Sequence, residues 1–470
     1  MSGREAIAAR WSRFWFESEV LRSRLTAFRV VFFGLLALDL WVLMVPHASR
    51  HDLGAFNVSH VPWLDPFIPA PDTSIFTALY LVSGFLSMRI ALGLATRESR
   101  IALTVLYSTA YLWSQLDSYQ HHYLICLLLL LSCFVPFEVT PGLDAARAPE
   151  APRVVRSWAA RLIYVQVSIV YFFTAITKAN EHWLSGWALE RIVRVEGVRT
   201  LFADMAAGMG WAELGTYALV AHVIMLWQFF VAVAFLFPRL RPVACVTGPL
   251  FHVLVEVLDL KIGWFSYYMI GIYYLLLFPD RWFVGLAKPL ERVGTYATHL
   301  FDRVVRVGEA PSVYVACGSS ALCAAVALLV PLEGVGVAAV TCGLATLAAL
   351  WPRAELPATS SVARALAHVA IAGSMVLAIR GTDGPWDYYR FWAGDLARRG
   401  ELEPAAEMYE RANAHAPPGR ARHARLAEIY ERLGRPNDAE RTRQQGLAHL
   451  PATLRTTEPE PPPPTPDRAP

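Results

Sequence analysis

The residues best suited to chemistry stand at the ends of apolar runs or inside them. Lys178 closes the apolar part of YFFTAITKANEHW (171–183), and Trp183 follows five residues later. His121 and His122, with Tyr123 next, open another run in SYQHHYL (118–124). His252 and Glu256 are one helical turn apart in FHVLVEVLDLKIGWFSYY (251–268), which also holds Phe265 and Tyr267. A lysine in a desolvated place holds its proton less tightly, because burial disfavours the cation. The neutral amine can then accept a proton near neutral pH, which arginine cannot do. Of the 42 basic residues only Lys178, Lys261 and Lys288 are lysines. Lys178 therefore reads as a general base, with a lysine snorkelling to lipid headgroups as the plain alternative. His121, His122, His252 and Glu256 can also be read as metal ligands. Adjacent histidines leave a helix on different faces, and the chain has no HExxH or Cys/His cluster, so no metal is expected. His222, inside a further apolar run, reads as a hydrogen-bonded core histidine or a pocket residue.

The elements around these residues must be membrane helices. The chain has 470 residues, 55% apolar and 17% charged, against about a quarter charged in soluble domains. From Ile101 to Phe137 the only formal charge is Asp117. The basic residues fall in short clusters between apolar runs and form no stripe, so a nucleic-acid partner is not expected. The six cysteines lie in apolar segments and suit helix packing rather than a disulfide framework. A span needs about 20 helical residues. Segments at or near that length are 26–45, 75–95, 101–117, 122–137, 159–178, 215–237, 243–260, 264–279, 312–332, 335–351 and 361–380. Arginines cluster before the first span, then around 97–100, 147–156, 239–241 and 281–292. By the positive-inside rule those connections and the N-terminus are cytoplasmic, and His121 and Lys178 lie at the outer boundary of a cell membrane. WALERIVRVEGVRTLF (187–202) reads as a helix lying in the outer interface. Arg89, near the inner end of the second span, reads as an anchor that reaches outward to headgroups.

The texture changes twice. The spans after residue 290 are rich in Ala, Val, Gly and Leu and read as packing helices. Beyond Arg380 the chain turns polar and repeats with a period of 34 residues: Gly400 with Gly434, Ala405 with Ala439, Pro417 with Pro451. That period, with Tyr409, Ala412, Leu426, Ala427 and Tyr430, resembles two tetratricopeptide hairpins. The expected organisation is a membrane domain over 1–290, additional membrane helices over 291–381, two helical hairpins over 382–452, and a Pro-rich disordered tail over 453–470. The fold class is all-α and polytopic, about eight spans plus about three more. Partners are the lipid membrane and a protein or peptide held by the repeats.

The WSRFWF lead-in (11–16), SYQHHYL, YFFTAITKANEHWLSGW (171–187) and the Phe-His…GWFSYYM stretch (251–269) resemble the HTTM (horizontally transferred transmembrane) domain family, which includes vitamin K-dependent gamma-glutamyl carboxylase. The resemblance covers about 1–290. It implies that Lys178 is the base for a reduced, vitamin K-like quinone and that His121 assists carboxylation. It also implies that Trp183 and His252 border the quinone pocket. O2 and CO2 would be co-substrates, quinone epoxide a product, and no metal is implied. The family's paired lysine is Thr177 here, and the carboxylase's large extracytoplasmic domain is absent. The alternative is a non-catalytic membrane scaffold or receptor that binds a partner through the repeats.

Overall fold

The computed structural model describes residues 3–52, 72–94, 96–113, 120–140, 142, 152–258, 264–285, 312–350, 358–418 and 420–448. Lys261, Lys288 and the tail 453–470 lie outside the described residues. The chain is an all-α polytopic membrane protein. Its helices are α1 Gly3–Phe16, α2 Arg22–Asp39, α3 Thr73–Leu92, α4 Thr96–Trp113, α5 Gln120–Ser132 and α6 Trp158–Thr177. Then come α7 Glu181–Leu184, α8 Trp187–Ile192, α9 Glu196–Gly208, α10 Gly215–Leu236, α11 Arg241–Val257 and α12 Phe265–Leu277. The remainder are α13 Ser312–Ala327, α14 Val335–Leu350, α15 Ala358–Arg380, α16 Gly384–Arg399, α17 Leu402–Ala414, α18 His423–Arg432 and α19 Pro436–Ala448. Two three-residue strands, β1 Glu19–Leu21 and β2 Val154–Arg156, pair antiparallel.

Each of the eleven apolar segments of the sequence falls mainly on helix over its described residues. Arg22–Arg50, Thr73–Leu92, Trp158–Thr177 and Gly215–Leu236 are long and apolar enough to cross a membrane. Arg364–Arg380 with Gly384–Arg399 forms a pair bent by 60°, a fifth candidate. The starts of α3 and α6 carry polar caps. Asp72 accepts from the Ile75 N–H at 3.0 Å and Ser157 from the Ala160 N–H at 3.1 Å, each satisfying a donor that the first turn leaves free.

Contacts order these helices into an alternating bundle with two distinct ends. One end carries the arginines. Arg24 donates to the Leu275 and Leu276 carbonyls at 2.8 and 2.9 Å and to Phe278 O and Asp280 at 2.6 Å. Arg100 donates to Ser132 O at 2.9 Å, to Val135 O and to Glu138. The last carbonyls of a helix lack intrahelical donors, and these guanidinium forks supply them at the ends of α12 and α5. Beside them the Tyr164 hydroxyl donates to Leu276 O, Phe134 meets Trp158, and Arg22 N bonds Arg153 O. These arginines are therefore buried structural donors as well as topology signals. Arg89, expected to reach outward, is also buried, where α3 packs on α14 and α15.

The opposite end gathers the start of α3 with the end of α4 (Phe76 and Trp113 rings, 5.4 Å), and the start of α5 with the start of α12 (His121 and Phe265, 5.5 Å). α7, just past the end of α6, meets α10 there, through the Trp183 indole donating to Ala221 O at 3.1 Å. The C-terminal hairpin α16–α17 docks on this same end through α16, and α18–α19 packs on α17. The Tyr388 hydroxyl lies 3.1 Å from that of Thr77, Tyr389 donates to Pro331 O at 3.1 Å, and Ser49 donates to Asp395 at 3.1 Å. Gly400 and Gly434 both take positive φ, 82° and 70°, directly after α16 and α18. The 34-residue period thus places equivalent left-handed turns, where glycine is unstrained.

One local expectation needs correction. The stretch 187–202 is not a single helix: α8 ends at Ile192 and α9 starts at Glu196, with Val193 and Val195 extended. A small separate core explains the break. Val198 and Phe202 of α9 pack on the same core as Leu189 and Val193, against Tyr217 and Ala221 of α10, whereas in an unbroken helix Val198, nine residues on, would face away from Leu189.

Candidate functional site

The non-arginine end contains a histidine–tyrosine cluster built from six helices. His122 of α5 is buried and its Nδ1 lies 2.8 Å from the hydroxyl of Tyr107 on α4. His121, its neighbour, stacks toward Phe265 of α12 with ring centres 5.5 Å apart. The other side of Phe265 meets His252 of α11 at 5.8 Å. His252 is 2% exposed, and its Nε2 lies 2.8 Å from the hydroxyl of Tyr171 on α6. Nδ1 of His252 is buried with no partner among the described residues. Tyr268, one turn beyond Phe265, donates to Oδ2 of buried Asp39 on α2 at 2.8 Å.

The packing that holds His252 depends on Gly248, one turn earlier. The Tyr273 ring lies over this glycine, and a Cβ there would come within 2.1 Å of it. Tyr273 in turn packs edge-on to Tyr171, with centres 5.9 Å apart. Aromatic side chains with a polar tip suit this place, because the ring fills apolar space while the hydroxyl serves a buried imidazole. A small opening of about 10 Å³, lined by Phe32, His121, Leu124, Phe265, Tyr268 and Ile272, lies beside His121. That is room for about one water.

Lys178 stands one residue past the end of α6 and is half-buried. Its Nζ donates to Thr174 O at 3.3 Å and lies 4.9 Å from the Trp183 ring centre. Burial lowers its pKa to about 8. The carbonyl and the aromatic face favour the cation, so desolvation outweighs both. Lys178 and Tyr171 are seven residues apart on α6 and so share a face, roughly 10 Å apart along the axis. The lysine is thus in line with the His252 cluster and two turns from it.

Other candidates stand apart. Glu256 is exposed although His252, one turn away, is buried. Tyr123 and Tyr267 are exposed, and His222 is exposed with Nδ1 2.8 Å from Ala218 O of its own helix. His121, His122, His252 and Phe265 are brought together, and Lys178 pairs with Trp183. Among the described residues no three His, Cys, Asp or Glu side chains gather as a metal ion would need. Tyr107, Tyr171 and Tyr268 were not singled out from sequence. The available signal was a hydroxyl or carboxylate at membrane depth, which has to find a partner.

A family model described as the HTTM domain matches residues 19–282, more than half of the chain. The chain belongs to the HTTM domain family. The matched region holds α2 to α12, and with them every residue of the cluster and Lys178. It stops before α13–α15 and the C-terminal hairpins. No solved structure matches the chain. For an HTTM chain, then, the described geometry supplies a polytopic membrane domain with a buried aromatic–histidine centre and an adjoining lysine.

Proposed function

We propose that this HTTM protein is a membrane enzyme of the vitamin K-dependent gamma-carboxylase type. It would couple oxidation of a reduced quinone to proton abstraction or carboxylation on a substrate. One observation carries the reading: His252 is buried, its Nε2 is engaged by Tyr171, and its Nδ1 lacks a partner among the described residues. An unsatisfied buried donor or acceptor costs about 1–3 kcal/mol, so a polar atom left this way suits a ligand oxygen. If Tyr171 donates into Nε2, the ring proton sits on Nδ1, which then presents N–H; in the other tautomer Nδ1 is an acceptor. The opening beside Phe265 has room for about one water, so its aromatic walls would have to part to take a flat naphthoquinone-like ring. A reduced quinone held beside these residues would, with O2, supply the strong base that the reaction needs. Lys178 takes a proton at Nζ, and the lowered pKa keeps much of it neutral near pH 8. His121 assists from the other side of Phe265. The arginine-bearing end is cytoplasmic by the positive-inside rule, which puts this centre near the outer face.

A second reading has its own support. The hairpins, which we read as tetratricopeptide-like, hold a cleft of about 350 Å³ lined by Glu403, Glu407, Glu410, Tyr430 and Arg435. It would receive a peptide carrying basic side chains, with the membrane domain as anchor. The deciding experiment is epoxide formation from reduced naphthoquinones by the purified protein, beside Lys178→Ala. Turnover lost by about a hundredfold or more in the variant supports the enzyme. No turnover across a quinone panel turns the reading to the scaffold.

A further inference from the structure

We infer that α1 is a membrane-surface helix that seats an aromatic stripe in the anionic lipid interface on the arginine-bearing side. Ile7, Trp11 and Phe14 follow one another at i, i+4 and i+7, so they form one stripe along α1. Ile7 and Trp11 are 69% and 64% exposed, which leaves the stripe uncovered by protein. Phe14 fixes the helix in place: the Arg161 guanidinium of α6 lies 3.9 Å from its ring centre. This holds α1 against the start of α6, at the end of the bundle where Arg24, Arg100 and Arg241 lie.

Spanning cannot explain the stripe. α1 has 14 residues, of which Arg4, Arg10, Arg13 and Glu5 are charged, and the first crossing starts only at Arg22. Arg10 and Arg13 are exposed beside the stripe. Ile7, Trp11 and Phe14 on one side with Arg10 and Arg13 at the flank match a helix lying in the headgroup layer, its rings in the acyl boundary and its cations on lipid phosphates, with exposed Phe16 ending the helix on the other side. Anionic lipid fits this charge, since each arginine near such a surface is drawn to it. The inference is independent of any quinone chemistry.

The test uses the full chain in nanodiscs of phosphatidylcholine with or without phosphatidylglycerol. A bimane label is placed at Trp11→Cys, and separately at Ser12→Cys on the other side of α1, in a Cys317→Ser background. A sample without the new cysteine gives the baseline. With phosphatidylglycerol, a shallow lipid-borne nitroxide is expected to quench position 11 roughly threefold more than position 12, while aqueous iodide shows the reverse order. Arg10→Glu with Arg13→Glu, or removal of phosphatidylglycerol, should shrink that ratio. Equal access of iodide to both positions overturns the inference. Shielding of position 11 from iodide and lipid nitroxide alike also overturns it, and points to cover by a second copy. A ratio indifferent to phosphatidylglycerol overturns the anionic partner.

Discussion

The Tyr171 hydroxyl stands 2.8 Å from Nε2 of His252, and this bond ties α6, which carries Lys178, to α11. Removing it with Tyr171→Phe leaves a buried imidazole nitrogen without a partner. A loss of about 1–3 kcal/mol of stability is expected. A double-mutant cycle of Tyr171→Phe with His252→Ala, read by thermal unfolding in detergent, should give a coupling of about 0.5–3 kcal/mol. Additive effects would mean that the pair does not interact.

Lys178 should impose a pH dependence on turnover. Its pKa is lowered to about 8, and the reactive form is the neutral amine. The rate should therefore rise with pH through about 8 and level off above it. Lys178→Arg should be as inactive as Lys178→Ala, because a guanidinium stays protonated throughout. A flat profile between pH 7 and 9, in about equal steps either side of that pKa, would take Lys178 out of the proton transfer.

Arg24 should matter for folding rather than for topology alone. Arg24→Lys keeps the charge but loses the fork that reaches Leu275, Leu276 and Phe278 carbonyls together. We expect normal membrane insertion with about 2–3 kcal/mol less stability, since hydrogen bonds from a charged donor are the stronger kind. Thermal unfolding with a topology reporter checks both halves.

Gly248→Ala should disturb the centre from a distance. The new Cβ would collide with the Tyr273 ring, which packs on Tyr171, and overpacking of this kind costs about 1–3 kcal/mol. Gly197→Ala is the matched control: nothing lies within 4 Å of its Cβ position. The control should be neutral or gain about 0.5–1 kcal/mol from helix propensity.

Much of the architecture was readable because the bilayer imposes it. Runs such as 215–237 must be helical to satisfy their backbone in hydrocarbon, and arginine clusters mark the alternating ends. Where two helices meet across the bundle was not readable. Nothing in the run 101–117 says that Tyr107 serves His122, and nothing near Asp39 points to Tyr268, 229 residues later. His121, His252 and Phe265 were marked by type and by their place in motifs, and packing then joined them. Glu256 was marked by its turn from His252, yet four residues advance the side chain far enough around α11 to leave it exposed. The break at 193–195 was hidden because charge and apolar spacing there suit a helix, while the pull of Tyr217 and Ala221 is tertiary.

The docking of α16 on the end opposite the arginines has a consequence for supply. The hairpin α16–α17 and the histidine centre sit at the same end of the described bundle. On the two proposed readings, a cargo captured between Glu403 and Arg435 would be released on the side from which Lys178 is approached. Capture and chemistry would then be stages of one local traffic, and a cargo tethered at the cleft would meet the membrane domain at a raised effective concentration.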